Sequence, residues 1–171
     1  MAWQDSRFSG GQRDGIAYSQ STDGGLTWST PVQLNQAPAV QAFVPTVHIR
    51  DDGTIGVTYY DLRNNTTAPT ILADYWLVQS ADGVTWTETH VAGPIDYATA
   101  PDARGLFLGD YMGLTSIGTT FNTPNGKAVT RLEAPYLPVA AVQKTTDNFL
   151  SVSTDATARR IARRAVERDS R

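Results

Sequence analysis

The densest cluster of side chains able to contact a ligand is Arg104, Asp110 and Tyr111, a guanidinium six residues ahead of a carboxylate with a phenol beside it. They follow Tyr97-Ala98-Thr99-Ala100-Pro101-Asp102, which reads as a long loop. Loops of that kind often carry function. Two roles are open to the three: ligand contact, or buried polar partnership inside their own structural unit. A second group is Arg7 and Arg63, each closing an aromatic-x-Asp-x-Arg pattern, Trp3-Gln4-Asp5-Ser6-Arg7 and Tyr59-Tyr60-Asp61-Leu62-Arg63. The plain expectation is a repeated structural ion pair to Asp5 and Asp61; the alternative is two arms of an anion-binding cluster. Metal chemistry has little support. The sequence has no cysteine, and His48 and His90 stand 42 residues apart with no ligand spacing between them. Both histidines read as ordinary strand residues, and no cofactor is implied.

The frame for these residues is set by Ser21-Thr22-Asp23-Gly24-Gly25-Leu26-Thr27-Trp28, which returns one residue shorter as Ser80-Ala81-Asp82-Gly83-Val84-Thr85-Trp86. A short carboxylate accepts hydrogen bonds from the backbone just ahead of it, and glycine takes positive φ without a steric penalty. Strand-forming residues precede both copies, so each unit reads as a hairpin stapled at its tip by Asp23 or Asp82, with the Trp as an apolar plate on the outgoing strand. The pattern Ser-x-Asp-x-Gly-x-Thr-Trp resembles the Asp-box, or BNR repeat, of the sialidase-like β-propellers. The first copy fits at every defined position and the second fits with one deletion. Gly109-Asp110-Tyr111-Met112-Gly113-Leu114 also resembles a segment of bacterial exo-α-sialidase-like propeller proteins.

The markers define a period. Asp5 and Asp61 are 56 residues apart, and Asp23 and Asp82 are 59 apart. Repeats of this length point to propeller blades or solenoid units. Within one period the expected strands are 43–50, 54–60, 71–78 and 85–91, with turns at Asp51-Asp52-Gly53 and at the Asp-box. A third unit is expected after Gly93-Pro94, with 106–114 and 115–121 as its first two strands. No marker follows Phe121. From 122 the composition changes, and Thr154-Asp155 could cap a helix running to about Arg168, with Ile161, Ala165 and Val166 on one face. An altered reading frame and a genuine appended helix both account for that tail. The expected fold is therefore all-β: a partial β-propeller of about two and a half four-stranded blades over residues 1–121, then a divergent tail, 122–171, with a short Arg-rich helix.

The resemblance implies a glycoside hydrolase acting on terminal sugars, with carbohydrate as partner and an extracellular or periplasmic location, although no leader segment opens this sequence. Sialidases use a Tyr nucleophile rather than two carboxylates. In that family an Arg cluster holds the sugar carboxylate, a Glu takes the Tyr proton and an Asp supplies the acid. Arg104, Asp110 and Tyr111 are the residues here that could fill a catalytic set. The family's Arg-Ile-Pro motif is absent, and only Glu88, Glu133 and Glu167 could pair with a Tyr. The alternative is a non-catalytic Asp-box scaffold binding carbohydrate or protein.

Composition narrows the rest. Residues 156–171 hold six Arg against Glu167 and Asp169, whereas residues 1–155 carry eight basic and fifteen acidic side chains. An acidic body disfavours nucleic acid as a partner. No apolar run approaches the roughly 20 residues of a membrane span. Two and a half blades leave edges and faces uncovered, so the chain is expected to be incomplete alone.

Overall fold

The computed structural model describes residues 1–124 and the backbone of residues 128–129. The described residues are mostly β, arranged in three antiparallel sheets. The first contains β1 (Ala2–Asp5), β2 (Gly15–Tyr18) and β3 (Val32–Gln33). The second contains β4 (Ala42–Ile49), β5 (Ile55–Asp61), β6 (Leu72–Ser80) and β7 (Thr87–Asp96). The third contains β8 (Thr115–Ile117), β9 (Thr120–Asn122) and β10 (Ala128–Val129). In each sheet the spatial order follows the chain order. Among the described residues no sheet closes on itself. The helix expected over about 154–168 lies outside the described residues.

The central strands β5 and β6 are buried on both faces, which explains why they read as nearly continuous apolar runs rather than a clean alternation. One face carries Ile55, Val57, Tyr59 and Val78, and packs on Ile16, Tyr18 and Leu34 of the first unit. The other carries Tyr75 and Leu77, which meet Met112 and Phe121 of the third. Toward one end Phe43, Ala73 and Ile95 enclose Ala100 and Leu108. Phe121 is fully buried and lies against the backbone of β5 at Gly56, where a Cβ would stand 2.6 Å from its ring. Glycine at 56 is what lets the third sheet approach.

The four-stranded unit matches the order expected from the sequence, with β4 paired to β5, β5 to β6 and β6 to β7. Three expectations are corrected. Gly93-Pro94 is not a boundary: β7 runs through it to Asp96, with bulges opposite Tyr75. β7 ends the sheet, so Pro94 costs no ladder hydrogen bond to a further strand. Gly93 has φ +120°, and a Cβ there would sit 2.7 Å from Asp74 Oδ1. Second, residues 106–114 are not a strand. Arg104, Gly105 and Gly109 take φ of 70°, 137° and 110°, outside the extended region, and the segment instead drops Leu108 and Met112 into the two cores. The third unit's strands begin only at Thr115. Third, Trp28 does not lie on an outgoing strand, because β3 starts at Val32; Trp86 directly precedes β7.

The aromatic-x-Asp-x-Arg marker makes β1 the counterpart of β5, β2 of β6 and β3 of β7. The first sheet has no counterpart of β4 among the described residues.

Candidate functional site

β5 sends Tyr59 and Asp61 to the face that meets the first unit, and Arg63 follows where the strand ends. The opposing partners come from register: Trp76 stands across from Tyr59, and Asp74 across from Asp61. Glu88 on β7 completes the group. Arg63 Nε donates to Asp61 Oδ2 at 2.8 Å, while its two terminal nitrogens donate to the two Glu88 oxygens at 2.6 and 2.9 Å. A planar guanidinium is the side chain that can serve two carboxylates at once with a two-point contact to one. Trp76 Nε1 donates to Asp61 Oδ1 at 3.0 Å, and the Arg63 guanidinium lies 3.7 Å from the centre of the Trp76 ring. The Tyr59 hydroxyl donates to Glu88 Oε1. Gln36 of the first unit also reaches that oxygen, its N–H donating at 3.4 Å.

The electrostatics follow from burial. Tyr59 is fully buried, and loss of water together with the neighbouring Glu88 carboxylate pushes its phenol far above the usual range. It is therefore a neutral donor. Burial works against charge on both Arg63 and Glu88, but their mutual hydrogen bonds outweigh it, so the guanidinium is held more firmly protonated and the carboxyl below its ordinary value. The network is a neutral phenol plus one cation shared between two anions, locked between sheets.

The first unit carries the same ion pair without the cover. Arg7 Nε donates to Asp5 Oδ2 at 2.6 Å, and Trp3 Nε1 donates to the same oxygen at 2.8 Å. The indole comes here from β1 itself, since Ala17 occupies the place across the register that Trp76 has in the second unit. The Arg7 side chain is 54% exposed, against 19% for Arg63. Both marker arginines thus serve structural pairs to Asp5 and Asp61. Beside the network, the buried Asp74 accepts from His90 Nε2 at 2.8 Å and from Asn64 Nδ2 at 2.9 Å. The two histidines do sit on strands: His48 bonds Ser116 Oγ at 2.9 Å. Among the described residues no group of three metal-ligating side chains converges.

The two Ser-x-Asp turns, 21–28 and 80–86, behave as turn staples. Asp23 accepts the Thr27 N–H at 2.9 Å and the Thr27 hydroxyl at 2.6 Å, and Ser21 Oγ accepts the Gly25 N–H at 2.8 Å. Asp82 accepts the N–H groups of Val84 and Thr85 at 2.8 and 2.7 Å. Hydrogen bonds to the ionised form hold both carboxyls well below the usual range, led by Thr27 for Asp23 and by the Thr85 N–H for Asp82. Trp86 packs edge-on to Tyr18 of the first unit at 4.9 Å, whereas Trp28 is 48% exposed.

Arg104, Asp110 and Tyr111 are all exposed, Tyr111 to 92%. Their side chains make no hydrogen bond or ion pair with another described residue, so they are not buried polar partners of the third unit. No hydrogen bond or ion pair joins them into one cluster either. Trp76 is the residue that reading by motif passed over, and Tyr59 entered only as the aromatic of its marker, without a role. Glu88 was visible as one of three Glu able to meet a Tyr, but nothing local in sequence couples it to a residue on β5, two strands away. Glu133 and Glu167 lie outside the described residues.

Comparison with protein-family models, with curated proteins and with solved structures returned no match.

Proposed function

We propose that this chain is a sialidase-like Asp-box repeat module acting as a non-catalytic scaffold that binds carbohydrate or protein, built on the blades of a partial propeller. One observation carries the choice of scaffold over hydrolase. The phenol, carboxylate and guanidinium that meet as a set, at Tyr59, Glu88 and Arg63, are enclosed between two sheets with every strong hydrogen bond used in holding them together. A Tyr nucleophile needs access to a sugar carbon and a route to phenoxide; burial of Tyr59 opposes both. The extracellular or periplasmic location suggested by the Asp-boxes belongs to the same proposal.

A hydrolase is the second reading, favoured by the exposed side chains of Tyr111, Arg104 and Asp110. An aryl sialoside separates the two. Under the scaffold reading the full chain releases no aryl group above background, while glycan binding measured by calorimetry weakens in Tyr111→Ala. Release that disappears in Tyr111→Phe or Arg104→Ala would establish the hydrolase and overturn the scaffold.

A further inference from the structure

The connection between β5 and β6 carries side chains that the fold leaves unused. It holds Asn64-Asn65-Thr66-Thr67, in which two Asn-x-Thr triplets overlap, and no other Asn-x-Ser/Thr triplet occurs in the 171 residues. Such a triplet is the acceptor pattern for an N-linked glycan, which the side-chain nitrogen of the Asn receives. The two asparagines are held differently. Asn64 Nδ2 donates to Asp74 Oδ2 at 2.9 Å, and Asp74 is 1% exposed. The nitrogen that could receive a sugar at 64 is thus committed to a buried carboxylate. Asn65 is anchored by its other end: its Oδ1 accepts the Leu72 N–H at 3.1 Å, and its backbone N–H donates to the Leu62 carbonyl at 3.0 Å. A backbone N–H can only donate, so it fixes which end of the amide is oxygen. Asn65 Nδ2 has no hydrogen-bond partner among the described residues. Residues 64–69 are all exposed, and the Thr67 hydroxyl makes no hydrogen bond with another described residue. The run is tied down beyond the exposed stretch, where the Ile71 N–H donates to Asp96 Oδ1 at 3.0 Å. Its exposure comes from lying past the ends of two paired strands, not from an unpaired sheet edge.

We propose that Asn65, and not Asn64, is an acceptor for an N-linked glycan. The step joins Asn65 Nδ2 to C1 of a sugar carried on a polyprenyl pyrophosphate. The C1–O bond to the pyrophosphate breaks, the polyprenyl pyrophosphate leaves with the bonding pair, and Nδ2 gives up one proton. Oδ1 takes no part as a leaving or attacking atom, so its bond from the Leu72 N–H survives the modification. At Asn64 the same sugar would have to displace the contact with Asp74 and leave that buried carboxylate short of a donor. A glycan attached at Asn65 is separate from any carbohydrate that the module binds. It draws on the exported location proposed above only for where donor lipid and transferase are met.

The test supplies both in solution. The folded full chain is incubated with a purified single-subunit oligosaccharyltransferase that recognises Asn-x-Thr and with a polyprenyl-pyrophosphate oligosaccharide, and products are read by intact mass and peptide mapping. A synthetic peptide of residues 60–72 in a parallel reaction shows that the transferase is active. The expected result is a chain heavier by one glycan, mapped to Asn65. Thr67→Ala removes only the Asn65 triplet and is expected to lose the glycan. Thr66→Ala removes only the Asn64 triplet and is expected to keep it. Both positions are exposed, so unchanged melting of the variants confirms their fold. Three results would overturn the proposal: a modified peptide beside an unmodified chain, a glycan mapped to Asn64, or undiminished modification of Thr67→Ala. Each of these leaves the exported location standing, since the transferase is added and not met in a compartment.

Discussion

Arg63 and Arg7 occupy equivalent positions in two units, so replacing each by alanine measures what the intervening packing does to one ion pair. In the second unit Asp61 is fully buried, the Glu88 side chain is 12% exposed and the Arg63 side chain 19% exposed. Removing Arg63 leaves two carboxylates without their cation, and removing one partner of a buried pair costs about 3–5 kcal/mol. Partial water access at the Arg63 end favours the lower figure, about 3 kcal/mol, and the lost guanidinium–indole contact adds about 0.5–1 kcal/mol. Arg7 is more than half exposed. Its pair with Asp5 belongs to the surface class, about 0–1 kcal/mol and screened by salt. At about 2–4 °C per kcal/mol for a chain of this size, Arg63→Ala lowers Tm by about 7–16 °C and Arg7→Ala by less than about 4 °C. Circular dichroism melts at neutral pH, in low and high salt, make the comparison. Equal shifts for the two variants would refute the claim that the inter-unit interface turns a weak surface pair into a structural lock.

Other expectations follow from the same geometry. Gly56→Ala pushes a methyl into the Phe121 ring and should cost about 1–3 kcal/mol; the double variant with Phe121→Leu should recover part of that loss in a urea titration. Asp23 and Asp82 have folded pKa values depressed below the unfolded one. Their contribution is therefore fully present above the ordinary aspartate range, about 3.9, and is lost only as pH falls through the lower folded values. The amide shifts of Thr27 and Thr85 should accordingly stay constant from neutral pH down to about 4 and move below it, and a midpoint near 4 would contradict the turn hydrogen bonds. Trp86→Ala should lower Tm more than Trp28→Ala, because only Trp86 packs against the neighbouring unit.

Local chemistry made the repeat legible. Asp followed by Gly favours a tight turn where the glycine takes positive φ, as at Asp23-Gly24 and Asp82-Gly83 but not at Asp14-Gly15, which opens β2, so both turn staples could be read locally, and the spacing of the two aspartate markers announced a repeating unit. The Asp5–Arg7 and Asp61–Arg63 pairs were equally local, since two residues of separation past a strand end bring a guanidinium back onto its carboxylate. The all-β character was readable for the same reason, because apolar runs bounded by turn residues make strands and the four runs of the second unit did so in order. The course of 93–114 was not. β7 passes Gly93-Pro94 because an edge strand can carry proline, and 106–114 leaves the extended region so that Leu108 and Met112 can reach two different cores.

What the tertiary structure alone decided is which charges are enclosed and which are open. Glu88 meets Arg63 and Tyr59 only because β5, β6 and β7 lie side by side, and a 25-residue separation between Arg63 and Glu88 says nothing of that. Identical motifs at Asp5 and Asp61 differ in exposure because a neighbouring sheet covers one and not the other. Arg104, Asp110 and Tyr111, close in sequence, make no side-chain hydrogen bond or ion pair with one another and stand exposed. Burial belongs to the stacking of sheets, which pairs residues by register and layer and not by distance along the chain.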